Sequence, residues 1–294
     1  MAASISPPLL PFFLFFFSCV HSATFTILNQ CGYPIWPGVL SGAGTSQLST
    51  TGFVLQPGQS NALTMPPSWS GRIWGRTYCS QDNAGRFSCA TADCGSGTVE
   101  CNGSGAAPPA TLAEFTLNGA GGLDFYDVSL VDGYNVPMLI TPQASSSGGN
   151  CTTIGCAANL NTECPMELRV AVDGQSVACK SACGAFGEPQ YCCNGEYGSP
   201  STCRPTSYSE YFKSACPQAY SYAYDDGTST FTCAAANYLI TFCPSLSTSV
   251  KSSNGQYPRA VDVSTAEYSG RPLASVAVIF TVTAALSRRF LCLL

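Results

Sequence analysis

The sequence predicts an all-β domain, a sandwich or a barrel, held together by disulfides. Short β-favouring runs recur between Gly, Pro and Asn punctuation, at 24–29, 52–55, 71–77, 111–117, 123–131, 167–172 and 237–242. They do not alternate with long helical patterns, which argues against an α/β fold. Sixteen of the 18 cysteines fall between Cys31 and Cys243, behind a secretory leader. An even number at that density, in an oxidising compartment, reads as a disulfide framework.

Taken in order, residues 9–17 form the apolar run of that leader, and Val20 and Ser22 stand at the −3 and −1 positions of a cleavage site after Ser22. The run is too short to span a membrane, which takes about 20 apolar residues. The domain that remains is expected over 23–244. The single histidine, His21, leaves with the leader. The mature chain therefore has no Ser-His-Asp triad, no Cys-His pair and no histidine metal site. Oxidised cysteines disfavour a thiolate zinc site, so no metal and no cofactor is expected, and carboxylates remain as the candidates for acid–base work. Phosphate-loop, calcium-loop and dinucleotide-binding motifs are absent as well.

One helix is marked within the body. Ser207-Tyr208-Ser209-Glu210 has capping-box spacing, and Tyr208, Tyr211, Phe212 and Ala215 follow a helical stripe into Cys216. The stripe is expected to pack on the segment 151–216, which carries nine cysteines and depends on cross-links more than on apolar mass.

Beyond 244 the composition changes to a Ser/Thr-rich linker and an apolar tract at 273–286. Small residues, a polar spacer and a hydrophobic tail are the ingredients of a GPI-attachment signal, with Ser252, Ser253, Asn254 or Ser264 as attachment candidates. A transmembrane anchor and a cleaved tail are the alternatives, and Arg288 and Arg289 interrupt the tract. Two sequons, at Asn102 and Asn150, each adjoin a cysteine.

Charge is scarce and lopsided. Between 23 and 244, 7 Lys and Arg stand against 15 Asp and Glu; beyond 244 the counts are 5 and 2. An acidic body lacks the footprint of a nucleic-acid binder and is repelled by anionic lipid, which leaves a GPI anchor as the membrane route. A monomer is expected.

At GRFSCATADCGSGTVEC, residues 85–101, the chain resembles the signature of the thaumatin-like (pathogenesis-related 5) family. The blocks Trp74-Gly75-Arg76-Thr77, Pro109 to Phe115, Leu130-Val131-Asp132-Gly133, Tyr191-Cys192-Cys193 and Cys216-Pro217 extend the resemblance over about 23–244. It implies an antiparallel β-sandwich with two disulfide-rich lobes, near 79–106 and 150–216, the second carrying the short helix. It also implies the pairs Cys31–Cys243, Cys79–Cys89, Cys94–Cys101, Cys151–Cys233, Cys156–Cys216, Cys164–Cys179, Cys183–Cys192 and Cys193–Cys203. Members commonly have an acidic cleft, which transfers by local motif to Arg72, Glu114, Asp127, Asp132 and Asp225. Gln218 departs from the Asp that many relatives have after Cys-Pro.

Physical reasoning adds a condition. If the hairpin 111–131 pairs so that partner numbers sum to 241, Glu114 faces Asp127 with Cβ atoms about 4.5–5.5 Å apart; a one-residue slip separates them. Asp132 has the opposite parity and joins them only through a bulge or a loop that begins before Gly133. Converging acids repel, which raises at least one pKa, so Glu114 is assigned as general acid and Asp127 as base or nucleophile if the protein is an enzyme. Asp93 and Asp124 read as turn acids. Trp74, Tyr126, Tyr134, Tyr220, Tyr222 and Tyr224 are candidate sugar platforms, Tyr222 and Tyr224 foremost.

The resemblance thus implies a secreted or surface-anchored plant defence protein that binds fungal β-1,3-glucan. Its rivals are a weak endo-β-1,3-glucanase and an inhibitor of a foreign hydrolase or membrane-permeabilising protein.

Overall fold

The computed structural model describes residues 22–143, 148–234 and 236–245. Nearly all of the expected leader, and the tail with its attachment candidates, lie outside those residues.

The described strands are β1 (Ala23–Asn29), β2 (Trp36–Ser41), β3 (Ser60–Met65), β4 (Ser70–Gln81), β5 (Phe87–Thr91), β6 (Leu112–Thr116), β7 (Asp124–Ser129), β8 (Met138–Gln143), β9 (Ile154–Cys156), β10 (Arg169–Val172), β11 (Gln175–Cys179), β12 (Phe231–Cys233) and β13 (Asn237–Phe242). One sheet runs β3-β1-β13-β8-β9 and the other β12-β7-β6-β4-β2, with β5 paired to β4; β10 and β11 form a separate hairpin. Pairing is antiparallel except between β1 and β13, which run parallel. There the chain's first and last described strands lie side by side, and the Cys31–Cys243 disulfide closes the pair.

Alternation puts the core between the two sheets. Phe25 and Ile27 of β1 and Tyr238 and Ile240 of β13 meet Ile73, Phe115, Tyr126 and Val128 of the facing sheet, all buried. The contact is aromatic at its centre, with Phe25 4.4 Å and Tyr238 5.1 Å from Phe115 between ring centroids.

The predicted strand at 52–55 is not one. The segment runs beside β2 through isolated bridges at Gly38–Gly52 and Ile35–Leu55. Pro37, the second residue of β2, has no N–H to donate, so it accepts from Phe53 without answering and the ladder is broken there.

Among the described residues, four short α-helices lie C-terminal to β11: α1 (Ala182–Phe186), α2 (Pro189–Cys192), α3 (Ser207–Ala215) and α4 (Asp226–Ser229). The predicted helix is α3, but its cap is one residue earlier than expected. The Thr206 side chain accepts from the Ser209 N–H, and the Ser209 hydroxyl accepts from the Thr206 N–H, so Ser207 is the first helical residue and Glu210 is outside the box. Phe212 is buried, Tyr211 donates to the Leu160 carbonyl, and Ala215 is exposed.

Eight disulfides join the pairs that the resemblance implies. Beside the first lobe, Arg76 is fully buried and donates to the carbonyls of Trp36, Pro37 and Val99, tying β4 to the start of β2 and to the loop that holds Val99. Desolvation lowers its pKa to about 10, leaving it a cation at neutral pH.

Candidate functional site

The outer face of the second sheet carries the acids. In β6, Ala113 and Phe115 point to the core, which turns Glu114 outward; in β7, Tyr126 and Val128 point in and Asp127 lies on the other face. The connecting turn uses Gly121 and Gly122 at φ 69° and 73°, a region open to glycine. The resulting register sums to 241: Glu114 stands opposite Asp127, and Arg72 of β4 stands opposite Glu114. Leu40, Arg72, Glu114 and Asp127 therefore form one row across four strands.

Two adjoining cavities, of about 490 and about 360 Å3, share Arg72, Glu114 and Asp127 in their walls. Phe125, two residues from Asp127 on the same face, lines the larger one; Asp132 and Tyr220 line the smaller. Asp132 arrives by the second route foreseen. β7 ends at Ser129, and the chain turns at Gly133, whose φ of 90° and close approach to the Cys179 carbonyl leave no room for a Cβ.

Arg72 Nε lies 3.6 Å from Glu114 Oε1, with both side chains partly exposed. Burial pushes the Glu114 carboxyl up, Arg72 draws it back, and the Asp132 charge pushes it up again. Asp127 is pushed well above the ordinary carboxylate range, first by burial, then by the charges of Glu114 and Asp226. Its Oδ1 is buried without a hydrogen-bond partner. Burial and mutual repulsion thus raise both carboxyls, Asp127 the more, and the Arg72 guanidinium offsets part of the rise at each.

The remaining residues divide clearly. Asp225 lines neither cavity; it pairs with Lys213 Nζ at 2.9 Å and accepts from Ser221 and Thr228. Burial favours its protonation, but these donors outweigh it and hold the carboxyl below its ordinary value. Its neighbour Asp226 is the acid whose charge reaches Asp127, and it accepts from the Tyr220 hydroxyl. Of the aromatic candidates, Trp74, Tyr126 and Tyr134 are core residues, Tyr222 lines a different small cavity, and Tyr220 borders the cleft. Asp124 accepts from the Asn118 N–H and the Tyr238 hydroxyl, and Asp93 accepts from the Gly95 N–H, both structural contacts. Asn102 and Asn150 are exposed. Among the described residues no group of three or more His, Cys, Asp or Glu is placed to hold a metal.

Sequence reasoning missed Phe125 and Asp226, and it ranked Tyr222 and Tyr224 ahead of Tyr220, the candidate that borders the cleft. Strand parity with Asp127 was a usable signal for Phe125. For Asp225-Asp226, adjacent acids in a turn, sequence offers no parity to choose between them.

Comparison with known proteins gives one answer. The model of the Thaumatin family matches residues 29–244. The chain is 57% identical over 244 residues to the pathogenesis-related thaumatin-like protein 3.5 of Cryptomeria japonica, covering 83% of this chain and 99% of that protein. It is 56% identical over 242 residues to thaumatin-like protein 1 of Arabidopsis thaliana, covering 79% and 92%. It is also 56% identical over 230 residues to a Prunus avium protein named glucan endo-1,3-beta-glucosidase, covering 78% and 93%. With the fold, the disulfides and the signature residues in agreement, the chain belongs to the thaumatin family.

Proposed function

We propose that the protein is a secreted or surface-anchored plant defence protein whose cleft binds β-1,3-glucan of fungal walls. The observation that carries this reading is the row Arg72, Glu114 and Asp127, aligned across three strands and facing both cavities. A protonated Asp127 donates a hydrogen bond, an ionised Glu114 accepts, and Arg72 donates. Such an alternation suits the hydroxyls of a neutral sugar chain, which both donate and accept. Phe125 in the wall of the larger cavity and Tyr220 in that of the smaller offer apolar ring surface beside Asp127. Secretion, N-glycans at Asn102 and Asn150, and GPI attachment at the tail belong to the same proposal.

A second reading, weak endo-β-1,3-glucanase activity, is favoured by the unequal proton affinities of the pair. Directly opposed residues have Cβ atoms about 4.5–5.5 Å apart, compatible with the roughly 5 Å between carboxyls that retaining hydrolysis uses. Asp127 would protonate the leaving oxygen and Glu114 would attack the anomeric carbon, the covalent intermediate then being hydrolysed by water. Binding leads, because it needs only the row, whereas cleavage also needs the acids on suitable sides of the glycosidic bond.

The test is a pull-down on insoluble linear β-1,3-glucan beside reducing-end release, across pH. We expect wild-type retention, reduced roughly 10-fold by Asp127→Ala combined with Glu114→Ala. Retention without release supports a binder. Release that disappears in Asp127→Asn and in Glu114→Gln makes the protein an enzyme, and equal retention by wild type and double variant refutes the cleft as the glucan site.

A further inference from the structure

Among the described residues, three buried side-chain polar atoms lack a hydrogen-bond partner: Asp127 Oδ1, Asn161 Oδ1 and Ser176 Oγ. The first belongs to the cleft. The other two belong to residues lining one other cavity, of about 320 Å3, beside the Cys31–Cys243 disulfide, which shares no lining residue with the cleft. Buried polar groups are nearly always paired, so two orphans around one cavity mark it as unusual.

The orientation of Asn161 is fixed. Its amide nitrogen donates to the carbonyls of Asn135 and Val177, both at 3.0 Å, which leaves Oδ1 as a pure acceptor seeking a donor. Ser176 offers a hydroxyl that donates or accepts. A sugar hydroxyl satisfies both kinds of demand, because it donates to one group while accepting from another.

The cavity also presents aromatic surface. Tyr33 and Tyr78 line it and are 42% and 51% exposed, the only tyrosines among the exposed large hydrophobic side chains of the described residues. They are neighbours: burial first, and the Tyr78 phenol second, push the Tyr33 pKa up. Tyr78 is held at φ 53°, an uncommon conformation for a bulky side chain, and it drops out of the β4–β5 register between the paired residues Thr77 and Cys79. No charged side chain lines the cavity. A concave site with ring surface, a few polar groups and no charge selects a neutral, hydroxyl-rich ligand.

We propose that this cavity is a second carbohydrate site, separate from the acidic cleft, that takes a neutral sugar unit of an oligosaccharide. The exposed Tyr33, Tyr78, Asn159 and Thr162 make the outer contacts, and the half-buried Asn161 and Ser176, whose unpaired oxygens lie just below the cavity surface, become the deeper polar partners as the side chains around them adjust to the sugar. The proposal stands independently of what the cleft binds. If both sites take the same polymer, each tethers ligand for the other and apparent affinity exceeds that of either alone.

The test is calorimetric titration of the secreted full chain with laminarihexaose, cellohexaose and xylohexaose, with and without Glu114→Ala and Asp127→Ala to disable the cleft. At least one hexasaccharide is expected to bind the cleft-disabled protein. Tyr78→Ala should then weaken that binding about 10-fold and Tyr78→Phe hardly at all. Ser176→Ala should weaken it about 3-fold while leaving Tm unchanged or higher, since it removes an unpaired buried hydroxyl. Absence of binding by all three sugars, binding indifferent to Tyr78→Ala and Ser176→Ala, or a fall in Tm for Ser176→Ala showing the hydroxyl to be bonded within the fold would each overturn it.

Discussion

Two carboxylates in different regions of this protein show what separates a structural acid from a functional candidate. Asp225, in the turn between α3 and α4, is surrounded by donors from Lys213, Ser221 and Thr228, and its proton affinity is lowered. Asp127, on the outer face of the second sheet, has other acids for neighbours, a buried oxygen without a partner and a raised proton affinity. The arginines repeat the contrast. Arg76 is buried and donates to three carbonyls, whereas Arg72 is 42% exposed and faces Glu114. The lesson is that unmet bonding capacity, rather than charge alone, distinguishes the cleft from its supports.

The sharpest challenge to this contrast is to exchange the arginines' roles. Arg76→Met should cost about 3–5 kcal/mol, because it removes the buried guanidinium's hydrogen bonds to three carbonyls, and chemical denaturation measures the loss. Next comes Asp225→Asn, expected to cost about 2 kcal/mol at pH 7 by leaving Lys213 without its partner. The folded Asp225 pKa lies below its unfolded value, so its contribution is present above the unfolded pKa and is lost as pH falls through the folded one. The penalty of Asp225→Asn should accordingly shrink in acid.

Asp127→Asn should behave in the opposite way. The folded pKa is raised, so the favourable contribution is complete below the unfolded pKa and disappears as pH climbs through the folded value. At neutral pH the amide removes that penalty, and we expect a gain of about 1 kcal/mol, or about 2–4 °C in Tm, that vanishes near pH 3. A loss at pH 7 would place Asp127 with the structural acids. The smallest effect belongs to Arg72→Ala, within about 0.5 kcal/mol of wild type in stability, since a partly exposed ion pair contributes little. A large destabilisation there would erase the distinction between the two arginines.

Much of the fold is legible in the sequence, because strand periodicity, the helical stripe into Cys216 and the cysteine density are local signals. β2 was not among the predicted strands, since Pro37 and Gly38 interrupt its pattern, yet it pairs along its whole length with β4. The site is less legible. Parity shows that Glu114 and Asp127 can share a face, but the register that joins them depends on turn geometry. Which of Asp225 and Asp226 lends its charge to Asp127 is decided by a turn and by Lys213, which holds Asp225 from twelve residues away. The proton affinities depend on burial, and burial is a property of the assembled sandwich.

The most direct measurement is carboxyl-detected NMR titration of Asp127 and Glu114, with and without laminarihexaose. The account predicts that Asp127 titrates above Glu114, that both lie above ordinary carboxylate values, and that the sugar shifts both resonances. Two carboxyls titrating at ordinary values and indifferent to the sugar would contradict it.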